Sequence, residues 1–163
     1  MKLNIELLRK QQATLDARIF KQHDLVRHET ILDRMLALLV EIGELANETR
    51  CFKYWSVRPA SEMDVIAQEF SDGIHFLLSL GIDLEDSQHE VEALEVTSNL
   101  TDQFLACFEA VIDLSRHYDL YRYQKAFAYY LGLASKIGLD SDTITNHYLQ
   151  KNETNHQRQD ENY

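Results

Sequence analysis

The sequence predicts an all-α protein, one helical bundle over residues 1–163 with a four-helix core. Three observations carry this expectation. Apolar residues recur at spacings of three and four along most of the chain. Five glycines and a single proline, Pro59, leave long stretches without punctuation. No alternating apolar and polar run of useful length marks a strand. At 163 residues the chain can bury a real core without disulfides.

The first predicted helix covers residues 2–21, with Leu3, Ile5, Leu7, Leu8, Leu15 and Ile19 as its apolar positions. The second runs from about 28 to 50. Ile31, Met35, Leu38, Ile42 and Leu45 set its stripe, and Leu32, Leu36, Leu39 and Ala46 widen it. An aromatic connector, "CFKYWSVRPA", follows. Ser61 is the expected cap of a third helix over 62–80, which Gly81 closes. The acidic stretch 83–99 reads as a short helix and turn, and Thr101 as the cap of a helix reaching about 117. A further helix spans 121–137 and stops at Gly138. The last begins near Ser141 or Asp142 and enters a polar segment, about 150–163, that composition alone reads as a frayed tail.

A formal net charge of −11 argues against a nucleic-acid partner, which needs a basic face. A phosphorylated substrate stays open, because bound metal ions invert the local field. Cys51 and Cys107 lie among apolar residues and form no metal-type pair, so two buried thiols in a reducing cytoplasm are expected. The N-terminus has no apolar signal core and no stretch reaches transmembrane length, so no membrane partner is expected either.

Function is first visible in the acids. Glu41, Glu44 and Glu48 lie in "EIGELANE", and Glu69 and Asp72 in "EFSD". Acids three or four apart share a helix face, so two packed helices can bring four or five carboxylates into one pocket. Glutamates at this spacing ordinarily mark a solvated face, and the first three alone fit that reading. The second pair shifts the balance. Glu69 and Asp72 sit between Val65 and Phe76 and beside Ile66, Phe70, Gly73 and Leu77, while the polar face of their helix is expected through Asp64, Gln68, His75 and Ser79. Acids bordering an apolar stripe are costly unless paired or metal-bound. Arg34, Arg50 and Lys53 are the nearby bases for a salt-bridge network, and a metal site ranks above it.

An all-oxygen cluster suits Mg²⁺, with Mn²⁺ as a substitute, bound jointly with a polyphosphate. A di-iron site would need Glu-x-x-His on two helices. Only Asp72-x-x-His75 approaches that motif.

"EIGELANETRCFKYWS" followed by "EFSDGIHFLLSLG" resembles the dimeric dUTPases of the all-α nucleoside triphosphate pyrophosphatase superfamily, which also holds the MazG-like enzymes. Glu41-x-x-Glu44 and Glu69-x-x-Asp72 match its two acidic pairs. The C-terminal "YLQKNETNHQRQ" resembles the family signature through Tyr148, Lys151, Asn152, Asn155, Arg158 and Gln159. "QQATLDARI" is similar to the family's first motif through Gln12 and Leu15, with Asp16 where Asn is common. An amide both donates and accepts, whereas an ionised Asp only accepts.

The resemblance implies hydrolysis of dUTP to dUMP and pyrophosphate, with Glu41, Glu44, Glu69 and Asp72 holding Mg²⁺. Water would attack the α-phosphorus, assisted by one of these acids or by Glu48. Tyr148, Lys151, Asn152, Asn155 and Arg158 would form one helical face of donors toward the nucleotide. Gln12, Asp16 and Trp55 would line the base pocket, with Lys53 as a lesser phosphate contact, and the enzyme would be a homodimer. Two other readings stay open: a pyrophosphatase for another nucleotide such as dCTP, and a catalytically silent helical interaction protein.

Overall fold

In the computed structural model, which describes residues 1–96 and 99–161, six helices carry the fold. They are α1 (Glu6–Gln22), α2 (Ile31–Thr49), α3 (Met63–Asp83), α4 (Leu100–Arg116), α5 (Leu120–Ile137) and α6 (Ser141–Asp160). A 3-10 turn over Arg27–Thr30 leads into α2. Two three-residue strands, β1 (Lys2–Asn4) and β2 (Glu90–Glu92), pair antiparallel with Leu3 opposite Val91. The all-α expectation holds, with this small ribbon added. Leu3 and Val91 are both buried, so the ribbon serves as a lid on the core.

Boundaries moved for identifiable reasons. The first helix starts at Glu6 because residues 2–4 are taken by the ribbon. Within 83–99, β2 and extended chain replace the expected short helix; Thr97 and Ser98 of that stretch lie outside the described residues, as do Asn162 and Tyr163. Helices α4, α5 and α6 are capped by Asn99, Asp119 and Asp140, whose side chains accept from the backbone N–H groups of Asp102, Arg122 and Thr143. Asn99, rather than Thr101, therefore starts α4. Ser61 does not cap α3 either, because its hydroxyl donates to Glu48. Gly138, at φ 92°, ends α5 as expected.

Helix α3 is the axis of the bundle, packed against α1, α2, α5 and α6. Its second half, Phe70 to Gly81, is buried almost all round. Gly81 does not close the helix; it lies inside it, where a Cβ would collide with the Tyr123 ring. Gly73 admits Tyr130 in the same way, and that ring stacks on Phe70 at 4.6 Å while its hydroxyl donates to the Phe70 carbonyl at 2.8 Å. Gly73→Ala is expected to destabilise the protein by about 1–3 kcal/mol through overpacking, read as a lower urea midpoint with an unchanged m-value.

The C-terminal segment is helical to Asp160 and lies along α1 and α3. Arg18 donates to the His156 carbonyl at 3.0 Å and Gln22 to the Gln159 carbonyl at 2.8 Å. Polar composition reads this segment as a tail because its anchors are hydrogen bonds rather than apolar contacts. No helix among the described residues is long and apolar enough to cross a membrane.

Candidate active site

Helices α1, α2, α3 and α6 enclose a cavity of about 480 Å³. One end is acidic. Glu41 from α2 and Glu69 and Asp72 from α3 bring carboxylate oxygens within 4.8 Å of one another. Packing of α2 against α3 creates this meeting, as the three-four spacing anticipates. Glu44 is exposed beside the cluster and Glu48, a turn further along, is held by Ser61.

The cluster carries unbalanced charge. Glu41 is pushed up to about 7, first by burial and then by Asp72, Glu44 and Glu69, with Lys151 offsetting part of the effect. Burial and neighbouring carboxylates also raise Glu69. Asp72 accepts from Lys151 Nζ at 2.7 Å, yet burial still lifts its pKa above the usual carboxylate range. Lys151 and Arg158 together do not neutralise these acids, to which Glu44 adds a further charge. Oxygen-only donors carrying surplus negative charge are what a hard divalent cation requires. The bases named from the sequence are engaged elsewhere: Arg34 with Asp83, Arg50 with Ser56 and the Arg58 carbonyl, and Lys53 over the Phe52 ring.

Helix α6 lines the cavity with Lys151, which reaches Asp72, and with Asn155 and Arg158, spaced four and three. Tyr148 and Asn152 share the helix but not the role expected of them, since both are buried beneath the cavity wall. The Tyr148 hydroxyl donates to Gln12 Oε1 at 2.9 Å and lies 3.1 Å from the Leu8 carbonyl, pinning α6 to α1. The Asn152 amide nitrogen has no partner among the described residues. Trp55 is 65% exposed and lies edge-on to Phe52 and Tyr54, so neither it nor Lys53 reaches this chain's own cavity.

The far end of the cavity is built from Gln12 and Asp16 on α1 and His75 and Ser79 on α3, with Phe20 and Phe76 as apolar walls. The expectation that His75 and Ser79 lie on a polar outer face is therefore wrong. Both are buried, because α6 and α1 cover the side of α3 that they occupy. The missed signal was the series Asp72, His75, Ser79, polar residues spaced three and four within an otherwise apolar half-helix. Asp16 accepts from Ser79 Oγ at 2.7 Å, from Gln12 Nε2 at 2.7 Å and from Arg27 at 2.8 Å. Arg27 and Arg34 both pair with Asp83 and both lie over the Phe20 ring. Two arginines are thus paired with two aspartates at this end, with exposed Asp33 also on its border, so its buried charges are largely balanced.

A cavity with acids at one end, Lys151 and Arg158 on α6 and an aromatic-walled, largely charge-paired recess at the other could take the phosphates and the ring of a nucleotide. The dUTPase family model matches residues 4–163. The chain belongs to the dUTPase family. As a dUTPase it is a hydrolase that converts dUTP to dUMP and pyrophosphate. A search of curated proteins finds no match. Neither a nucleotide-binding protein without catalysis nor a pyrophosphatase devoted to dCTP is the reading that family membership supports.

Proposed function

We propose that this dUTPase works with a divalent cation, Mg²⁺ or Mn²⁺ in its place, held by Glu41, Glu69 and Asp72 with Glu44 at the rim. The observation that carries the proposal is the meeting of this carboxylate cluster with the Lys151, Asn155 and Arg158 side chains at one cavity. When bound, the cation supplies Lewis acidity toward phosphate oxygens and water. The protein's own groups do the rest. Lys151 Nζ, which pairs with Asp72 at 2.7 Å in the free protein, would serve the triphosphate once Asp72 is engaged as a cation ligand. Arg158 and Lys151 neutralise charge that builds on the departing pyrophosphate, and Asn155 orients the nucleotide. One of the cluster's carboxylates, or Glu48, takes the proton of the water that attacks the α-phosphorus. Gln12 and Asp16 line the base recess.

The test is hydrolysis of each dNTP by the purified protein with Mg²⁺ in ¹⁸O-labelled water. Selective dUTP turnover, abolished by EDTA, with label appearing in dUMP supports the proposal. Orthophosphate as product, or label in pyrophosphate, rejects attack at the α-phosphorus.

A homodimer is proposed on a separate observation. Leu32, Leu36 and Val40 form an exposed stripe on α2, continued by an apolar groove through Gly43, Phe52, Leu105 and Phe108. The family resemblance draws pocket residues from both chains, and Trp55 and Lys53 are the residues left for that role. Leu36→Glu is expected to shift the protein to monomer in sedimentation equilibrium, with loss of dUTP turnover. A variant that stays dimeric would place the interface elsewhere. The two free cysteines support a reducing, cytoplasmic setting.

A further inference from the structure

Helix α6 has no buried side chain after Asn152, yet it continues for about two more turns to Asp160, and Arg158 in its last turn lines the cavity. Apolar packing therefore does not keep that turn in place. Helix α1 supplies what does. Arg18 donates through one guanidinium nitrogen to the His156 carbonyl at 3.0 Å, and through the other it pairs with Asp160. Four residues on, along the same face of α1, Gln22 donates to the Gln159 carbonyl at 2.8 Å, and His23 Nε2 lies 3.0 Å from Gln159 Oε1. The Gln159 carbonyl belongs to a last turn where no later helical N–H reaches it, so α1 caps α6 from outside. Tyr148 meets Leu8 and Gln12 while residues 156–160 meet Arg18 and Gln22, so the two helices run parallel. Their negative C-terminal ends lie together, where the Arg18 cation is favourable.

We propose that Arg18 is a positioning residue for dUTP hydrolysis: by clamping the last turns of α6 to α1, it holds the Arg158 guanidinium at the cavity for the phosphates of the substrate. Arg18 is itself outside the cavity lining, so it acts on the nucleotide only through α6. The two groups it holds, the His156 carbonyl and the Asp160 carboxylate, lie two residues to either side of Arg158. Releasing them frees the turn that carries Arg158. Such a turn frays, because a helix end owes its order to tertiary contacts. A frayed turn spreads Arg158 over many positions, whereas a group that stabilises charge on departing pyrophosphate works from one. Arginine suits the task because its planar fork meets a carbonyl and a carboxylate at once, while lysine would keep the charge without the fork.

The proposal rests on the role given to Arg158 at the phosphates, and one arm of its test stands apart from that role. Hydrogen exchange of the metal-free protein reads the clamp without substrate. Arg18→Gln is expected to speed exchange of the amides of residues 155–161 by about tenfold or more, with α2 and α3 unchanged. Unchanged exchange at the end of α6 would overturn the clamp. With Mg²⁺, Arg18→Gln is expected to lower kcat/KM for dUTP by about tenfold or more, and Arg18→Lys by less. Inhibition by dUMP should stay as in wild type, since dUMP lacks the phosphates that Arg158 serves. In an Arg158→Gln background the Arg18 substitution should cost nothing further. An equal loss in both backgrounds, or dUMP inhibition weakened in step, would make Arg18 merely structural and overturn its positioning role. Gln22→Ala, which removes only the contact to the Gln159 carbonyl, should move exchange and kcat/KM in the same direction by less, and it carries the test where Arg18→Gln does not fold. Wild-type protein inert toward dUTP would instead reject the reading of the cavity, and the exchange result would still decide the clamp.

Discussion

Glu41→Gln is expected to lower dUTP turnover by about 10³-fold while raising the melting temperature of the metal-free protein at pH 8. The two signs come from one cause. Burial and three neighbouring acids raise the Glu41 pKa to about 7 in the folded protein, against an ordinary value of 4.5. The fold therefore favours the protonated side chain more than the unfolded chain does. Below about pH 4.5 both states are protonated and this preference costs nothing. Between about pH 4.5 and 7 the unfolded chain releases its proton more readily, so stability is lost as pH rises. Glu69 and Asp72, also raised, add to the same trend. Glutamine cannot ionise and removes the Glu41 share of the cost, as catalytic groups often exchange stability for function. Thermal melts in EDTA from pH 5 to 8 check this. The wild-type melting temperature should fall across the window and recover on adding Mg²⁺, and the variant's should fall less and recover little. A variant less stable than wild type at pH 8 would contradict the unbalanced-charge account.

Lys151→Met is expected to act with the opposite stability sign. Lys151 and Asp72 are 17% and 14% exposed at their side chains, and Lys151 also offsets the repulsion felt by Glu41 and Glu69. Removing the ammonium should cost the metal-free protein about 1–3 kcal/mol, because a half-buried carboxylate loses its charged partner. With Mg²⁺ present the stability deficit should shrink, since the cation replaces the missing charge. Activity should not recover: kcat/KM for dUTP is expected to fall about 10²–10³-fold, as for loss of one group that stabilises transition-state charge. Chemical denaturation with and without Mg²⁺, beside steady-state kinetics, separates the two effects. Full activity in saturating Mg²⁺ would reduce Lys151 to a partner for Asp72.

The carboxylate cluster was legible in the sequence because it depends on local spacing. Glu69 and Asp72 border Phe70 and Gly73 on one helix, and nothing distant is needed to see that they are ill placed for solvent. Lys151, Asn155 and Arg158 were legible as a helical face only through their resemblance to a known signature, since composition alone calls that segment a tail. His75 and Ser79 were misread for a physical reason. Polar residues within a helix suggest its wet side, and only the docking of α6, near the other end of the chain, makes that side dry. Gly81 misled similarly: glycine after an apolar run looks like a stop, whereas here it makes room for Tyr123 from α5. The short strand at Lys2–Asn4 was invisible because its partner lies near residue 91. Tyr148 was placed on the right helix but one layer too shallow, its hydroxyl spent on α1.

The join between α1 and α6 also governs when the cavity can exist. Its hydrogen bonds connect residues 136 to 142 positions apart, as in Tyr148 to Gln12 and Arg18 to Asp160. By contrast α4 and α5 meet across a connection of three residues. Closing the long loop costs more chain entropy before any contact repays it, so contacts of this kind form late in folding. A chain that has gathered α2 and α3 but not yet seated α6 holds its acids together without the cations of α6. On the roles proposed for Lys151 and Arg158, catalytic competence is expected to arrive together with completion of the tertiary structure.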